Sequence, residues 1–264
     1  MPRPKGGRPT NVKAPRQGTD TCELFGGRLV LAQPRGGYRF SIDSILLAWW
    51  VEFEADDRIL DAGCGVGVVG LALVRCRGAR DVTGVELQGD LAALARANVV
   101  ENAASAWMSV VEADLRELPP PFGNRFDVVC ANPPFYEEGA GRLNPCAERA
   151  AARHELTLTV DELALAAAFT LKRGGRFYFV HQPRRLAEIF SALEDKGFRV
   201  ERLRFVQPRE GEPANLVLVA ARLGGARETV VMRPLIIYDA RGEYAAEVAA
   251  IYGGRGKPLY GHLL

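Results

Sequence analysis

A strand, a glycine-rich turn and a helix follow one another between Arg58 and Val74, and this order constrains the fold more than any other feature of the sequence. The turn is Asp61-Ala62-Gly63-Cys64-Gly65. A second unit follows, with strand character at Asp81 to Glu86 and an Ala-rich helix pattern at Asp90 to Asn102. Alternating strands and helices favour a mostly parallel sheet that is covered by helices on both faces.

Shorter apolar runs continue this alternation along the chain. Further strands are predicted at Ser109 to Glu112, Phe126 to Ala131, Gly175 to Val180 and Leu216 to Ala220, and further helices at Val160 to Leu171 and Arg184 to Lys196.

The two ends of the folded part carry weaker signals. We expect a hairpin or strand at Leu24 to Pro34 and a buried helix at Ser41 to Phe53, with Ser41 or Asp43 as its cap. Thr229 to Ile237 is typical of a terminal strand that Pro234 confines to an edge or bulge, and a last short helix is expected at Gly242 to Tyr252.

The size and composition indicate a folded, soluble chain. It has 264 residues, of which 48% are hydrophobic and 25% charged, and no apolar run reaches the ~18 residues that would cross a bilayer. We predict a flexible basic extension over residues 1–20 and one domain over residues 21–264. The first residues lack the apolar stretch of a secretory signal, so we expect a cytoplasmic protein.

Cysteine and histidine usage predicts neither a disulfide framework nor a metal site. The five cysteines contain no CxxC pair, and the three histidines lie far apart in the sequence.

Positive charge is concentrated in two segments. Residues 1–19 carry a net charge of +5, and Lys172 to Glu210 carry another +5, although the whole chain has only +2. These residues could simply face solvent. Because nucleic-acid backbones need only Lys and Arg on one face, we expect the basic tail and the Lys172 to Arg209 region to contact phosphates of a nucleic acid.

The glycine turn discriminates between nucleotide cofactors. Gly65, Gly67 and Gly70 match the dinucleotide fingerprint GxGxxG in form. The carboxylate of Asp61, two residues before Gly63, would repel a pyrophosphate and attract a cation. S-adenosylmethionine carries a sulfonium and an ammonium group and needs only close backbone approach, which Gly63, Gly65 and Gly67 allow. The sequence therefore favours S-adenosylmethionine, with a nicotinamide-dependent oxidoreductase as the alternative.

Two more acids follow successive strands. Glu86 ends the second strand of the regular pattern, where a carboxylate can accept both ribose hydroxyls. Asp114 follows the third, where it can accept from an adenine amino group. Each could instead be a helix cap or a surface carboxylate.

The segment Asn132-Pro133-Pro134-Phe135 follows the strand Phe126 to Ala131 and predicts chemistry at an amino group. Two prolines stiffen the loop and leave its carbonyls free to accept. If the Asn132 side chain and the Pro133 carbonyl both accept from one amino group, that nitrogen is held in line for methyl transfer. Phe135, with Tyr136, could stack on the target.

Together, DAGCG and NPPF resemble class I S-adenosylmethionine-dependent methyltransferases that modify amino groups. This resemblance implies a doubly wound, seven-stranded Rossmann-like sheet, mostly parallel with an antiparallel edge strand. A narrower resemblance is to the bacterial tRNA(Val) adenine-37 N6-methyltransferase family. It rests on Gly36-Gly37-Tyr38-Arg39-Phe40-Ser41-Ile42-Asp43-Ser44, the NPPFY loop, Ala152-Arg153-His154-Glu155, Lys172-Arg173-Gly174-Gly175 and Pro234-Leu235-Ile236-Ile237-Tyr238.

The narrower resemblance implies methylation of adenine N6 in tRNA and assigns residues to it. Asn132 to Phe135 would hold the target base, and Tyr38 to Asp43 would cover the methionine end of the cofactor. The predicted cofactor site comprises Tyr38, Arg39, Phe40, Asp43, Asp61, Gly63, Gly65, Gly67, Glu86, Leu87, Asp114, Leu115 and Asn132.

Several alternatives remain open at the level of the sequence. Glutamine methylation of a protein and guanine N2 methylation of ribosomal RNA also suit an Asn-Pro-Pro loop. A non-catalytic RNA-binding protein is a further alternative, against which the intact loop argues. Arg153-His154-Glu155 could serve acid-base chemistry or a helix cap. The long arginine-bearing loop from Glu137 to Arg149 is not assigned by the resemblance and leaves the substrate open.

Overall fold

The computed structural model describes residues 18–36, 39–134, 158–225 and 228–260. The chain enters through an antiparallel hairpin, β1 (Thr19–Leu24) and β2 (Leu29–Pro34), and continues into helix α1 (Ile42–Trp50). The expected buried helix is therefore present, and the segment Leu24 to Pro34 contains the expected strand, which pairs with a strand that precedes the segment. Strand β1 begins inside the segment assigned to the basic extension, of which residues 1–17 lie outside the described part.

A central sheet carries the regular alternation seen in the sequence. Its strands are β3 (Ile59–Ala62), β4 (Val82–Glu86), β5 (Met108–Glu112), β6 (Phe126–Ala131), β7 (Leu171–His181), β8 (Phe198–Gln207), β9 (Leu216–Leu223), β10 (Val230–Val231) and β11 (Leu235–Ile236). The helices that accompany it are α2 (Val68–Arg77), α3 (Gly89–Glu101), α4 (Val160–Thr170), α5 (Leu186–Asp195) and α6 (Ala246–Tyr252).

Seven longer strands lie in the order β5-β4-β3-β6-β7-β9-β8 within the described residues. Strands β3 to β7 are parallel, and β9 runs antiparallel between β7 and β8 near one edge. The two-residue strands β10 and β11 pair with β8 on either side of Pro234, as expected for an interrupted edge strand. The doubly wound, mostly parallel sheet is confirmed.

Both faces of the sheet are buried. On one face α1 and α2 pack against Val128 and Cys130, and on the other α4 and α5 pack against Val129 and Ala131. Alternate residues of β6 thus enter two separate apolar clusters, which is the pattern of a strand covered on both sides.

Strand β8 was absent from the sequence-based prediction, because charged residues interrupt its apolar pattern. Its charges at Arg202 and Arg204 are neutralised by acids from other elements: Arg202 pairs with Glu52, and Arg204 pairs with Glu247 of α6. The Arg204 guanidinium, nearly buried, also donates to the carbonyls of Arg233 and Leu259.

The Lys172 to Arg209 region therefore differs from the basic face expected from the sequence. Among the described residues, at least eight of its ten basic residues form ion pairs with acids of the same chain. The pairs are Lys172–Asp127, Arg176–Asp57, Arg185–Glu188, Lys196–Asp161, Arg199–Glu194, Arg202–Glu52, Arg204–Glu247 and Arg209–Glu212. This pairing leaves much less unbalanced positive charge there than the residue count of the segment suggests.

Two asparagines attach the hairpin to α3. Asn98 exchanges a pair of hydrogen bonds with the backbone N–H and carbonyl of Ala32, both at 2.9 Å, and Asn102 does the same with Val30 at 2.9 and 2.7 Å. Four helix residues rise about 6 Å and two strand residues about 6.7 Å, so the two amides match the strand repeat. The hairpin is thereby fixed beside the glycine turn, where Asn98 also donates to the Val66 carbonyl.

No helix in the described part of the chain is long and apolar enough to cross a membrane.

Candidate active site

A cavity of about 450 Å³ opens at the carboxyl ends of β3, β4, β5 and β6. This edge is where ligands bind in open α/β sheets, and the volume suits a nucleoside-sized ligand. The lining residues are Arg39, Phe40, Ser41, Asp43, Ala62, Gly63, Gly65, Val85, Glu86, Leu87, Gln88, Leu91, Ala113, Asp114, Leu115, Arg116, Asn132, Pro133, Pro134, Leu158 and Leu163.

The glycine turn presents bare backbone to this cavity. Gly63 has φ +72°, and a Cβ at this position would meet no atom within 4 Å, so a side chain there would enter the open space. Gly67 and Gly70 serve another purpose. A Cβ on Gly70 would lie 2.6 Å from Met108 Cε, and one on Gly67 would touch Ala95, so these glycines let α2 pack closely.

Backbone N–H groups of the turn are already used within the chain. Gly63 and Cys64 donate to the Val85 carbonyl, Gly65 donates to Glu86, and Gly70 donates to Asp61. A pyrophosphate needs free N–H groups at this helix N-terminus. With these donors committed and two carboxylates beside them, the turn fits a cofactor without phosphate and argues against the nicotinamide alternative.

Asp61 lies beneath the turn and does not line the cavity. One carboxylate oxygen accepts from the Gly70 N–H at 2.9 Å, and the other lies 4.0 Å from the thiol of Cys130. Burial, and to a lesser extent the charge of Glu86, raise the pKa of Asp61 to about 7. Burial also raises the pKa of Cys130 and Cys64, so these thiols stay protonated beside it. In this structure Asp61 stabilises the turn, and the turn lies between its carboxylate and the cavity. The direct contact with the cofactor predicted for Asp61 is therefore replaced by an indirect one, through the position of the turn.

Glu86 is held with its carboxylate at the cavity wall. Its two oxygens accept from the N–H groups of Gly65 at 2.9 Å and Gln88 at 2.8 Å. A carboxylate oxygen has capacity for more than one hydrogen bond, so the fixed group can still accept a pair of ribose hydroxyls. Leu87, the next residue, also lines the cavity.

Asp114 also lines the cavity, next to Leu115, and is paired with Arg116. The Arg116 guanidinium donates to both carboxylate oxygens, at distances from 2.6 to 3.0 Å. These hydrogen bonds from Arg116 lower the pKa of Asp114, which stays ionised. Arg116 was not expected from the sequence, because a single Arg two residues after an acid has no recognisable pattern.

The start of α1 forms another wall. Arg39, Phe40, Ser41 and Asp43 all line the cavity, as the family resemblance implied for three of them. Burial raises the pKa of Asp43. Acids from three elements, α1, β4 and the turn after β5, thus surround a space suited to a cationic ligand.

The Asn-Pro-Pro loop closes the cavity at the end of β6. Asn132, Pro133 and Pro134 all contribute to the lining. The Asn132 amide nitrogen donates to the Ser44 hydroxyl at 2.8 Å. The side-chain oxygen at the other end of the Asn132 amide is therefore available to accept a hydrogen bond. The loop therefore places acceptor oxygens beside the space for the cofactor.

Most of the predicted site residues thus meet in one place, and the exceptions fall into two groups. Asp61 and Gly67 lie beneath the turn. Tyr38 and Phe135 lie outside the described residues, as do Tyr136, the Glu137 to Arg149 loop and Arg153-His154-Glu155. Sequence reasoning missed the apolar wall made by Leu91, Leu158 and Leu163, whose helical and loop positions are indistinguishable from core positions.

No cluster of histidine, cysteine, aspartate or glutamate that could hold a metal ion is found among the described residues.

Comparison with known proteins agrees with this geometry. The sequence model of the methyltransferase small domain family matches residues 39–200. A tRNA1(Val) (adenine(37)-N6)-methyltransferase from Dickeya chrysanthemi is 33% identical over 230 residues, covering 84% of this chain and 88% of that protein. Another tRNA1(Val) (adenine(37)-N6)-methyltransferase, from Vibrio vulnificus, is 27% identical, covering 79% of this chain and 85% of the relative.

Solved structures share the fold. A predicted O-methyltransferase from Agrobacterium tumefaciens superposes with a TM-score of 0.65 at 26% identity, covering 81% of this chain and 97% of that one. A putative class I S-adenosylmethionine-dependent methyltransferase from Listeria monocytogenes is similar in fold alone, with a TM-score of 0.51 at 17% identity and coverage of 81% and 69%. The chain belongs to the tRNA1(Val) (adenine(37)-N6)-methyltransferase family, within the S-adenosylmethionine-dependent class I methyltransferases.

Proposed function

We propose that this protein transfers a methyl group from S-adenosylmethionine to the N6 amino group of adenine 37 in a tRNA. The observation that carries the proposal is the position of Asn132 and Pro133 at the cavity that holds Glu86 and Asp114. Relatives that match most of this chain carry that activity in their names.

The cofactor residues have separate tasks in this proposal. Glu86, fixed by two backbone N–H groups, accepts the ribose hydroxyls, and Asp114 accepts from the adenine amino group of the cofactor. Gly63 and Gly65 let the methionine end lie against the backbone, near Asp43. When bound, the cofactor supplies a methyl group on a sulfonium sulfur.

Asn132 and Pro133 orient the acceptor nitrogen. The Asn132 side-chain oxygen and the Pro133 carbonyl accept the two hydrogens of the target amino group, so its lone pair points at the methyl carbon. The same hydrogen bonds favour the positive charge that develops on the nitrogen in the transition state. The spare proton then leaves to solvent. Asp61, the buried acid with a pKa of about 7, lies beneath the glycine turn and does not take part.

An anticodon-loop adenine suits this site because it is already unpaired. Extruding a base from a stack costs free energy, and the cost is least for a single-stranded base. Phe135, the last residue of the motif, would stack on it.

The phosphate contacts proposed for the tRNA fall on a narrower set than the sequence suggested. The basic residues 1–20, preceding a single domain over 21–264, remain the first candidate. Within the Lys172 to Arg209 region, Arg184 and Arg185 follow the carboxyl end of β7 and Arg209 follows that of β8, on the edge of the sheet that carries the cavity. A tRNA-modifying enzyme is expected in the cytoplasm.

A direct test is incubation with labelled S-adenosylmethionine and unmodified bulk tRNA, followed by digestion to nucleosides and mass spectrometry. We expect labelled N6-methyladenosine. Parallel incubations use ribosomal RNA and cell protein. Labelled N2-methylguanosine from the ribosomal RNA, or label in a protein glutamine, with none in tRNA, would move the substrate to one of the other amino-group acceptors.

A further inference from the structure

Ser44 is a buried polar residue at the start of an apolar helix. It lies in the first turn of α1 and is 2% exposed, and the residues that follow it, from Ile45 to Trp50, are all buried and apolar. A hydroxyl in such surroundings costs free energy unless it is hydrogen-bonded. Its hydroxyl accepts from the Asn132 amide nitrogen at 2.8 Å, across 88 positions of sequence.

The contact matters because the two ends of an asparagine amide have nearly the same shape and opposite chemistry. The oxygen can only accept, and the NH₂ group can only donate. A target amino group needs an acceptor, so an Asn132 side chain turned by 180° would present donors to donors. Here the Ser44 hydroxyl accepts from one Asn132 N–H group, so the oxygen of Asn132 is the free end of the amide.

Ser44 does not itself line the cavity, whereas Asn132 does. The nearby Ser41 occupies the N-cap of α1, and its side chain makes no capping bond there. Ser44 therefore lies one step behind the reacting atoms, and its only route to the reaction runs through Asn132.

We propose that Ser44 is a positioning residue, which holds the Asn132 side chain in place at the cavity while its oxygen is left for the target amino group. The proposal rests on the function given above, since it assumes that Asn132 accepts from the methylated nitrogen. It also gives the Phe40 to Ser44 segment a second task, because the wall that covers the cofactor fixes the loop that holds the target.

Ser44→Thr and Ser44→Val form a matched pair for the test. Both place a branched side chain of the same shape at a buried position, and only the threonine keeps a hydroxyl. We measure kcat and KM for tRNA methylation, affinity for S-adenosylhomocysteine and the thermal unfolding midpoint. Loss of one buried hydrogen-bond partner predicts that kcat of the valine variant falls about tenfold to a hundredfold below that of the threonine variant. The cofactor affinity of the two variants should agree, and their unfolding midpoints should differ by no more than the loss of one hydrogen bond.

Equal kcat values for the two variants would overturn the proposal. So would a parallel loss of cofactor affinity in the valine variant, because it would mark Ser44 as structural. Should the added methyl group prevent folding, Ser44→Ala replaces the pair, and wild-type kcat in that variant would overturn the proposal. The unsubstituted protein tests the parent function in the same assay, since absence of N6-methyladenosine there would remove the proposed function itself.

Discussion

Asn132 separates cofactor binding from methyl transfer at the scale of one residue. Its side chain lines the cavity and its amide nitrogen donates to Ser44, while the contacts proposed for the ribose and adenine of the cofactor lie at Glu86 and Asp114. We therefore expect Asn132→Ala to lower kcat by about a hundredfold or more, as for removal of a group that acts in the transition state. Affinity for S-adenosylhomocysteine, measured by calorimetry, should change little.

Asn132→Asp is the control for this substitution, because it keeps an acceptor oxygen and nearly the same shape. We expect it to retain more activity than the alanine variant. An alanine variant that methylates tRNA at the wild-type rate would contradict the role assigned to Asn132.

Asp61 makes stability depend on pH in an unusual direction. Burial raises its pKa from the usual value near 3.9 to about 7, so between these values the folded state binds a proton that the unfolded state lacks. The free energy of unfolding from this group therefore falls as pH rises from about 4 to about 7 and is constant above that. Asp61→Asn removes the titration but keeps an oxygen for the Gly70 N–H.

Chemical denaturation of both proteins across this pH range checks the prediction. Relative to wild type, Asp61→Asn should gain stability as pH rises to about 7, by ~4 kcal/mol at most for a shift of this size. His181 acts oppositely, since burial lowers its pKa to about 4, but it is present in both proteins and cancels in the difference. A difference that is flat with pH would show that Asp61 ionises normally.

Among the elements, the β1–β2 hairpin is attached to α3 by side-chain hydrogen bonds and, within the described residues, does not pair with the central sheet. Asn98→Ala removes the bonds to Ala32 and the Val66 carbonyl and leaves those groups without partners. This should lower the free energy of unfolding by about 1 to 3 kcal/mol. Cofactor affinity should fall as well, because the hairpin leads directly to the Arg39 to Asp43 wall of the cavity.

Glu101→Ala, at an exposed position of the same helix, is the matched control and should cost less than about 0.5 kcal/mol. Urea denaturation and calorimetry of both variants give the comparison. If Asn98→Ala is as stable as Glu101→Ala, the asparagine contacts do not hold the hairpin.

Sequence patterns predicted the elements whose burial is simple. Strands β3, β4 and β6 and helices α2 to α5 follow apolar periodicity with ends close to those expected. Strand β8 was not predicted, because its charged residues Arg202 and Arg204 interrupt the apolar pattern. They are neutralised by Glu52 and Glu247, which come from distant parts of the chain. Ion pairs of this kind depend on tertiary structure and leave no local signal.

For the whole molecule, the sheet explains why distant motifs form one site. Residues that follow successive parallel strands reach the same edge, so Gly63, Glu86, Asp114 and Asn132 could be grouped from their positions after strands. The direction of each side chain could not be predicted from these positions. The Asp61 side chain points beneath the glycine turn, and the Asp114 carboxylate is hydrogen-bonded to Arg116. The hydrogen bond between Asn132 and Ser44 depends on how α1 packs against the sheet.

Methylation of adenine 37 can be measured on tRNA(Val), the tRNA named for the relatives. Two transcripts of that tRNA, identical except for adenine or guanine at position 37, are incubated with the protein and labelled S-adenosylmethionine. We expect N6-methyladenosine in the adenine transcript and almost no label in the guanine transcript. Equal labelling of both transcripts, or none in either while S-adenosylhomocysteine still binds, would contradict it.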